Sequence, residues 1–142
     1  MDILNFVGAG WCDVVFKDDK SEFRGSASYL EDVPFDFLFA FSTYIDTKRM
    51  PIIECDEEGS EFIIVSTEYD TYVISERDET RTYKFDMRRK EFMKVIVEDI
   101  KEQIDMAVDF VYSDYTEDER MGRKKEMLKI INKIERYLKN GK

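Results

Sequence analysis

Histidine is absent from this chain. That removes Ser-His-Asp and Cys-His nucleophilic catalysis, histidine-based zinc sites and the Glu-x-x-His di-iron pattern. Cysteine is scarce: Cys12 and Cys55 stand alone, too few for a thiolate zinc site or the disulfide framework of a small secreted domain. Two reduced thiols in a cytoplasm are the expected state. The opening, MDILNFVGAGWCD, has no basic leader and no long apolar stretch, so no signal peptide is expected. No run reaches the ~18 uninterrupted apolar residues that suggest a membrane span. No Gly-Lys-Ser/Thr follows VGAG at 7–10, which is therefore expected to bend the chain before a strand rather than to cradle phosphate.

Basic residues are in deficit. Twenty-two Lys and Arg face 32 Asp and Glu, for a net charge of −10. Phosphate contacts need a basic footprint, so nucleic acid is not the expected partner, and neither is an anionic membrane surface. Complementary fields favour a protein with a basic surface. Any acidic domain offers two carboxylates, but glycoside hydrolysis needs them about 5–9 Å apart in a sugar-binding cleft. The single Trp11 gives little sign of a sugar platform. The expectation is a non-enzymatic chain with no catalytic, cofactor-binding or metal-ligating residue.

What the chain does have is apolar and aromatic material: 43% hydrophobic residues, with 11 Phe and 8 Tyr among them. At 142 residues this suits one packed domain spanning 1–142. The charge is unevenly placed. Residues 1–87 hold 8 basic and 20 acidic residues, net −12; residues 88–120 are net −4 and residues 121–142 are net +6. A basic tail could clamp onto the acidic body or form the far end of a long dipole.

Two β-prone runs, 11–17 and 22–30, flank Asp18-Asp19-Lys20-Ser21 and read as a hairpin. Asp32, Val33 and Pro34 mark the start of a helix over 34–46, PFDFLFAFSTYID. Phe37, Leu38, Phe41, Tyr44 and Ile45 share one face, with Phe35 and Phe39 on a second, so this helix is either buried nearly all round or shows aromatics to a partner. Runs at 51–55, 61–67, 71–76 and 81–86 are joined by short loops, which makes an antiparallel meander. FIIVS at 62–66 is continuously apolar and is expected to be a central strand covered on both faces.

The spacing of Phe92, Ile96, Ile100, Ile104, Ala107, Val108 and Val111 predicts one helix over 88–112, packed against the sheet. On its far side Glu98, Glu102, Asp105 and Asp109 fall within about 40° of one another. Lys94 and Lys101 stand four residues from Glu98 and Asp105, a distance that suits helical ion pairs. Thr116 and Glu119 form a capping box for a last helix to about 138, whose apolar face is Met127, Ile131, Ile134 and Leu138. Gly122 is expected to loosen its first turns.

Glu54-x-Asp56-x-Glu58-Gly59 imitates the first half of a calcium loop, but the twelfth position is Val65 and both flanks are β-prone. A hairpin turn, with Gly59 supplying a positive φ, accounts for the glycine. Its acids Asp56, Glu57 and Glu58, with Glu98, Glu102, Asp105 and Asp109 of the helix, are the candidate partner-binding residues. The bland alternatives are a solvated turn and the solvated side of an amphipathic helix.

The expected fold is α+β: one antiparallel sheet of about five to six strands, carrying the aromatic helix and two longer C-terminal helices. SYLEDVPFDFLFAFSTYI (28–45), ECDEEGSEFIIVS (54–66) and the long C-terminal helices together resemble single-domain bacterial immunity proteins, the antidotes encoded beside contact-dependent or secreted toxins. The resemblance implies cytoplasmic residence and stoichiometric inhibition of a cognate toxin, often a nuclease. It transfers no binding position, and the +6 tail departs from a uniformly acidic nucleic-acid mimic. The alternative function is a small-ligand or regulatory module that self-associates, with the aromatic helix lining a pocket.

Overall fold

Alternating apolar residues organise the N-terminal third. In a computed structural model, which describes residues 2–111 and 114–141, Leu4–Gly8 (β1), Trp11–Lys17 (β2) and Glu22–Ser28 (β3) form a three-stranded antiparallel sheet in that order. Cys12, Val14 and Phe16 point inward from β2 while the residues between them are half-buried. VGAG turns the chain between β1 and β2, as expected, with Gly8, Ala9 and Gly10 all at positive φ. Strand β1 itself was not anticipated; its five residues are too short to announce a period.

Val33–Thr47 forms the aromatic helix α1. The meander then follows as Ile52–Asp56 (β4), Glu61–Ser66 (β5), Thr71–Ser75 (β6) and Arg81–Phe85 (β7), a second antiparallel sheet in sequential order. The expected single sheet of five to six strands is thus two sheets, of three and four strands. The α1 crossover separates the two sets of local pairings, and among the described residues no hydrogen-bonded ladder joins them. Strand β5 also differs from expectation. Phe62, Ile64 and Ser66 are buried, but Ile63 and Val65, on the opposite face, are only half-buried.

Aromatic contacts tie the layers together. Phe16 of β2 stacks on Phe85 of β7 (centroids 5.3 Å) and on Phe92 (5.9 Å), and Phe92 meets Phe41 of α1 edge-on at 5.6 Å. Phe23 of β3 lies 4.9 Å from Phe62 of β5. Gly25 permits that approach, since a Cβ there would fall 2.8 Å from both rings.

The predicted helix 88–112 is broken. Arg89–Glu102 forms α2 and Ile104–Val108 the short α3, separated by Gln103 at φ −115°, ψ 31°; position 112 lies outside the described residues. Phe92, Ile96, Ile100, Ala107 and Val108 are buried as the stripe requires, and Ile104 and Val111 only partly. Asp99 and Gln103, before and at the break, bond the N-terminal strand. Asp99, 2% exposed, accepts the amides of Ile3 and Leu4 at 2.7 and 2.9 Å. Gln103 accepts the Phe6 amide at 2.8 Å and donates to the Leu4 carbonyl at 2.9 Å. Two helix side chains thereby satisfy the edge of β1 that faces away from β2, as an added strand would.

Glu117–Asn140 is α4. It opens on the expected capping box, with Thr116 Oγ1 accepting the Glu119 amide and Glu119 accepting the Thr116 amide, both at 3.1 Å, and it runs unbroken through Gly122. Met127, Ile131 and Ile134 are buried and Leu138 partly so. No helix among the described residues is long and apolar enough to cross a membrane.

Candidate docking surfaces

The carboxylates of the C-terminal half do not make one free line. Glu98 and Glu102 lie on α2, Asp105 on α3 and Asp109 at its C-cap, and all four residues are exposed. Helix α4 supplies cations to the second pair. Arg120 grips Asp109 through two hydrogen bonds of 2.8 and 2.6 Å, and Lys124 reaches Asp105 at 3.0 Å. Lys101, expected to serve Asp105 within one helix, bonds Glu135 of α4 at 3.2 Å instead, because the break at Gln103 interrupts the four-residue step. The expected Lys94–Glu98 pair is also not formed among the described residues, and Glu98 and Glu102 have no ion-pair partner there. Arg123 reaches Asp32 at 3.3 Å and Lys133 reaches Asp46 at 2.7 Å. Of the two dispositions open to the basic tail, this is the clamp.

The ECDEEGSEF stretch forms the β4–β5 hairpin, with Glu58 at φ +58° and Gly59 at +137° in its loop. Positive φ at both central residues matches the twist of the flanking strands, and glycine adopts the second without strain. The three acids of this turn do different things. Asp56 Oδ1 accepts the Glu58 amide at 2.7 Å, and Glu58 is exposed. Glu57 folds inward, its side chain 8% exposed. Its carboxylate accepts from Arg77 at 2.7 Å, the Ser60 hydroxyl at 2.8 Å and the Ser26 amide at 3.3 Å. Glu57 therefore joins the turn to the outer edge of β3, and its charge is neutralised.

Register brings further carboxylates beside Asp56. Asp56 stands opposite Glu61, and the Glu76 amide donates to the Glu61 carbonyl at 3.1 Å. Glu54 is two residues along β4, on the same face. Repulsion from Glu76 is the largest of the causes that push the Glu61 carboxyl above its usual range, and Glu54 and Asp56 add to it. None of Glu54, Asp56, Glu61 and Glu76 has an ion-pair partner among the described residues. Glu54, Glu61 and Glu76 were missed as candidates; applying the two-residue strand period across the meander would have aligned them. Among the described residues no group of three or more His, Cys, Asp or Glu is placed to hold a metal ion.

Of the aromatic helix, Phe35, Phe37, Leu38 and Phe41 fill the core, and Phe39 is its exposed ring. The thiols of Cys12 and Cys55 are buried and free, and burial pushes Cys12 up to about 12. Comparison of the chain with protein-family models, with curated proteins and with solved structures found no match.

Proposed function

We propose that this protein is a non-enzymatic inhibitor: an immunity protein that binds a cognate bacterial toxin one to one through a basic surface of the toxin. One observation carries the reading. Glu54, Asp56, Glu61 and Glu76 are held together at one end of the four-stranded sheet without a compensating cation among the described residues. Asp105 and Asp109, by contrast, are each met by a cation of α4. Crowded like charges oppose folding slightly, and a basic partner would relieve them while accelerating encounter. The family resemblance makes a nuclease the first toxin activity to assay, and a cytoplasmic site of action follows from it.

The test uses any toxin-like domain encoded beside this chain's gene. Inhibition should saturate at one equivalent, the chain should emerge unaltered, and the association rate should fall steeply as salt rises from about 50 to 500 mM, where the screening length shrinks. Failure to form a complex at micromolar concentrations, or an association rate insensitive to salt, sinks the reading.

A further inference from the structure

Helix α1 and strand β4 lie side by side, with a groove of about 380 Å³ lined from both. Three of the large apolar side chains exposed on this surface line it: Phe39 of α1 (50% exposed), Met50 (40%) and Ile52 of β4 (53%). The carboxylates of Glu31, Asp36 and Glu54 line the same groove, where Arg49 is the one basic residue among the described lining residues. Burial first, then Asp32, Glu31 and Glu54, pushes the Asp36 carboxyl up to about 6. Strand β4 is also a sheet edge. The Ser66 amide bonds the Pro51 carbonyl, so residues 51, 53 and 55 direct their main-chain groups to β5 and Ile52 and Glu54 direct theirs away.

We infer that this groove receives a short segment of a basic partner protein, with apolar side chains against Phe39, Met50 and Ile52 and lysine or arginine among Glu31, Asp36 and Glu54. The inference rests on the reading of the chain as a binder of a basic protein and adds where its apolar contact lies. Charge complementarity selects the occupant. A neutral small molecule would leave three carboxylates uncompensated. A second copy of this chain is the rival occupant, because Lys125, Lys129, Arg136 and Lys139 of α4 are exposed and have no ion-pair partner among the described residues; a parent protein that dimerises through the groove overturns the inference. Exposed charges mainly speed encounter, whereas desolvated apolar anchors slow dissociation, and the groove places the two kinds side by side.

Two ligands test this: the neighbouring gene's toxin domain and a nonapeptide of alternating lysine and valine, followed by NMR on labelled protein. The peptide should shift the signals of Phe39, Met50 and Ile52, and a glutamate–valine nonapeptide should not. Phe39→Ser with Ile52→Thr changes exposed positions, so the thermal transition should be retained. This pair should weaken both ligands about tenfold or more, chiefly through faster dissociation. Asp36→Asn with Glu54→Gln should instead slow association. Peptide shifts centred on Asp105 and Asp109, or none at all, overturn the inference. So does a toxin affinity unchanged by the apolar pair, and in that case the inhibitor reading survives. If the parent binds no toxin but seats the peptide in the groove, the inhibitor reading falls and the groove stands.

Discussion

Asp99 shows how much one side chain can hold. Its carboxylate is buried and accepts the consecutive amides of Ile3 and Leu4, so it anchors the first strand to α2 across a sequence separation of 96 residues. Replacing it with alanine leaves two buried N–H groups unpaired, each costing about 1–3 kcal/mol. Asp99→Ala should therefore lose ~2–5 kcal/mol in urea unfolding, and a loss under ~0.5 kcal/mol would show that β1 is held by other means.

The same residue gives the pH dependence its sign. Burial pushes Asp99 up to about 6 against the opposing pull of the Leu4 and Ile3 amides, and Asp36 also stands at about 6. The ordinary value is 3.8, so between these limits the folded chain binds protons that the unfolded chain releases. The stability these groups contribute is complete below about 3.8 and is lost as pH rises through about 6. Asp18 runs the other way: the amides of Lys20, Asp86 and Ser21 lower it, and its contribution is lost as pH falls through that lowered value. Denaturation midpoints should rise as pH falls from 7 towards 5 and drop again well below 4. Asp36→Asn should flatten the first limb, and a parent protein most stable at pH 7 to 8 would contradict the assignment.

At the scale of elements, local signals were legible and long-range partners were not. Strands β2 to β7 follow from alternation and short loops, and the Thr116–Glu119 box placed the start of α4 within a residue. The inward stripe of α2 was equally plain. Ile100 is fully buried on it, so Ile100→Ala should cost about 2–5 kcal/mol, with a largely unchanged urea m-value. What the period could not show is that Asp99 and Gln103 leave the pattern to bond a strand some 96 residues away. Gln103, the residue at the break, bonds β1 through its side chain. For the same reason the division into two sheets was hidden: alternation reports which face of a strand is buried, not which neighbouring ladder it joins. The burial and pairing of Glu57 were hidden for a related cause, because its partners Arg77 and Ser26 lie on other loops and strands.

The whole molecule sets a cationic helix against an anionic body, and that arrangement decides which acids remain available. Helix α4 engages Asp32, Asp46, Asp105 and Asp109, whereas the open end of the four-stranded sheet keeps Asp56, Glu61 and Glu76 uncompensated among the described residues. The pairs are mostly exposed, so breaking one should matter little to folding; Arg120→Ala should leave the unfolding midpoint nearly unchanged. Docking should be more discriminating. Asp56→Lys with Glu61→Lys reverses two carboxylates at the sheet end and should slow association with the toxin domain severalfold, reduce its salt dependence and leave the unfolding midpoint nearly unchanged. Glu98→Lys with Glu102→Lys alters the net charge equally but on α2, beside a surface already supplied with α4 cations. That pair should therefore slow association less. If the two double variants slow it equally, only the overall charge steers the encounter. If the α2 variant slows it more, the partner docks on the helical face and the assignment to the sheet end is wrong.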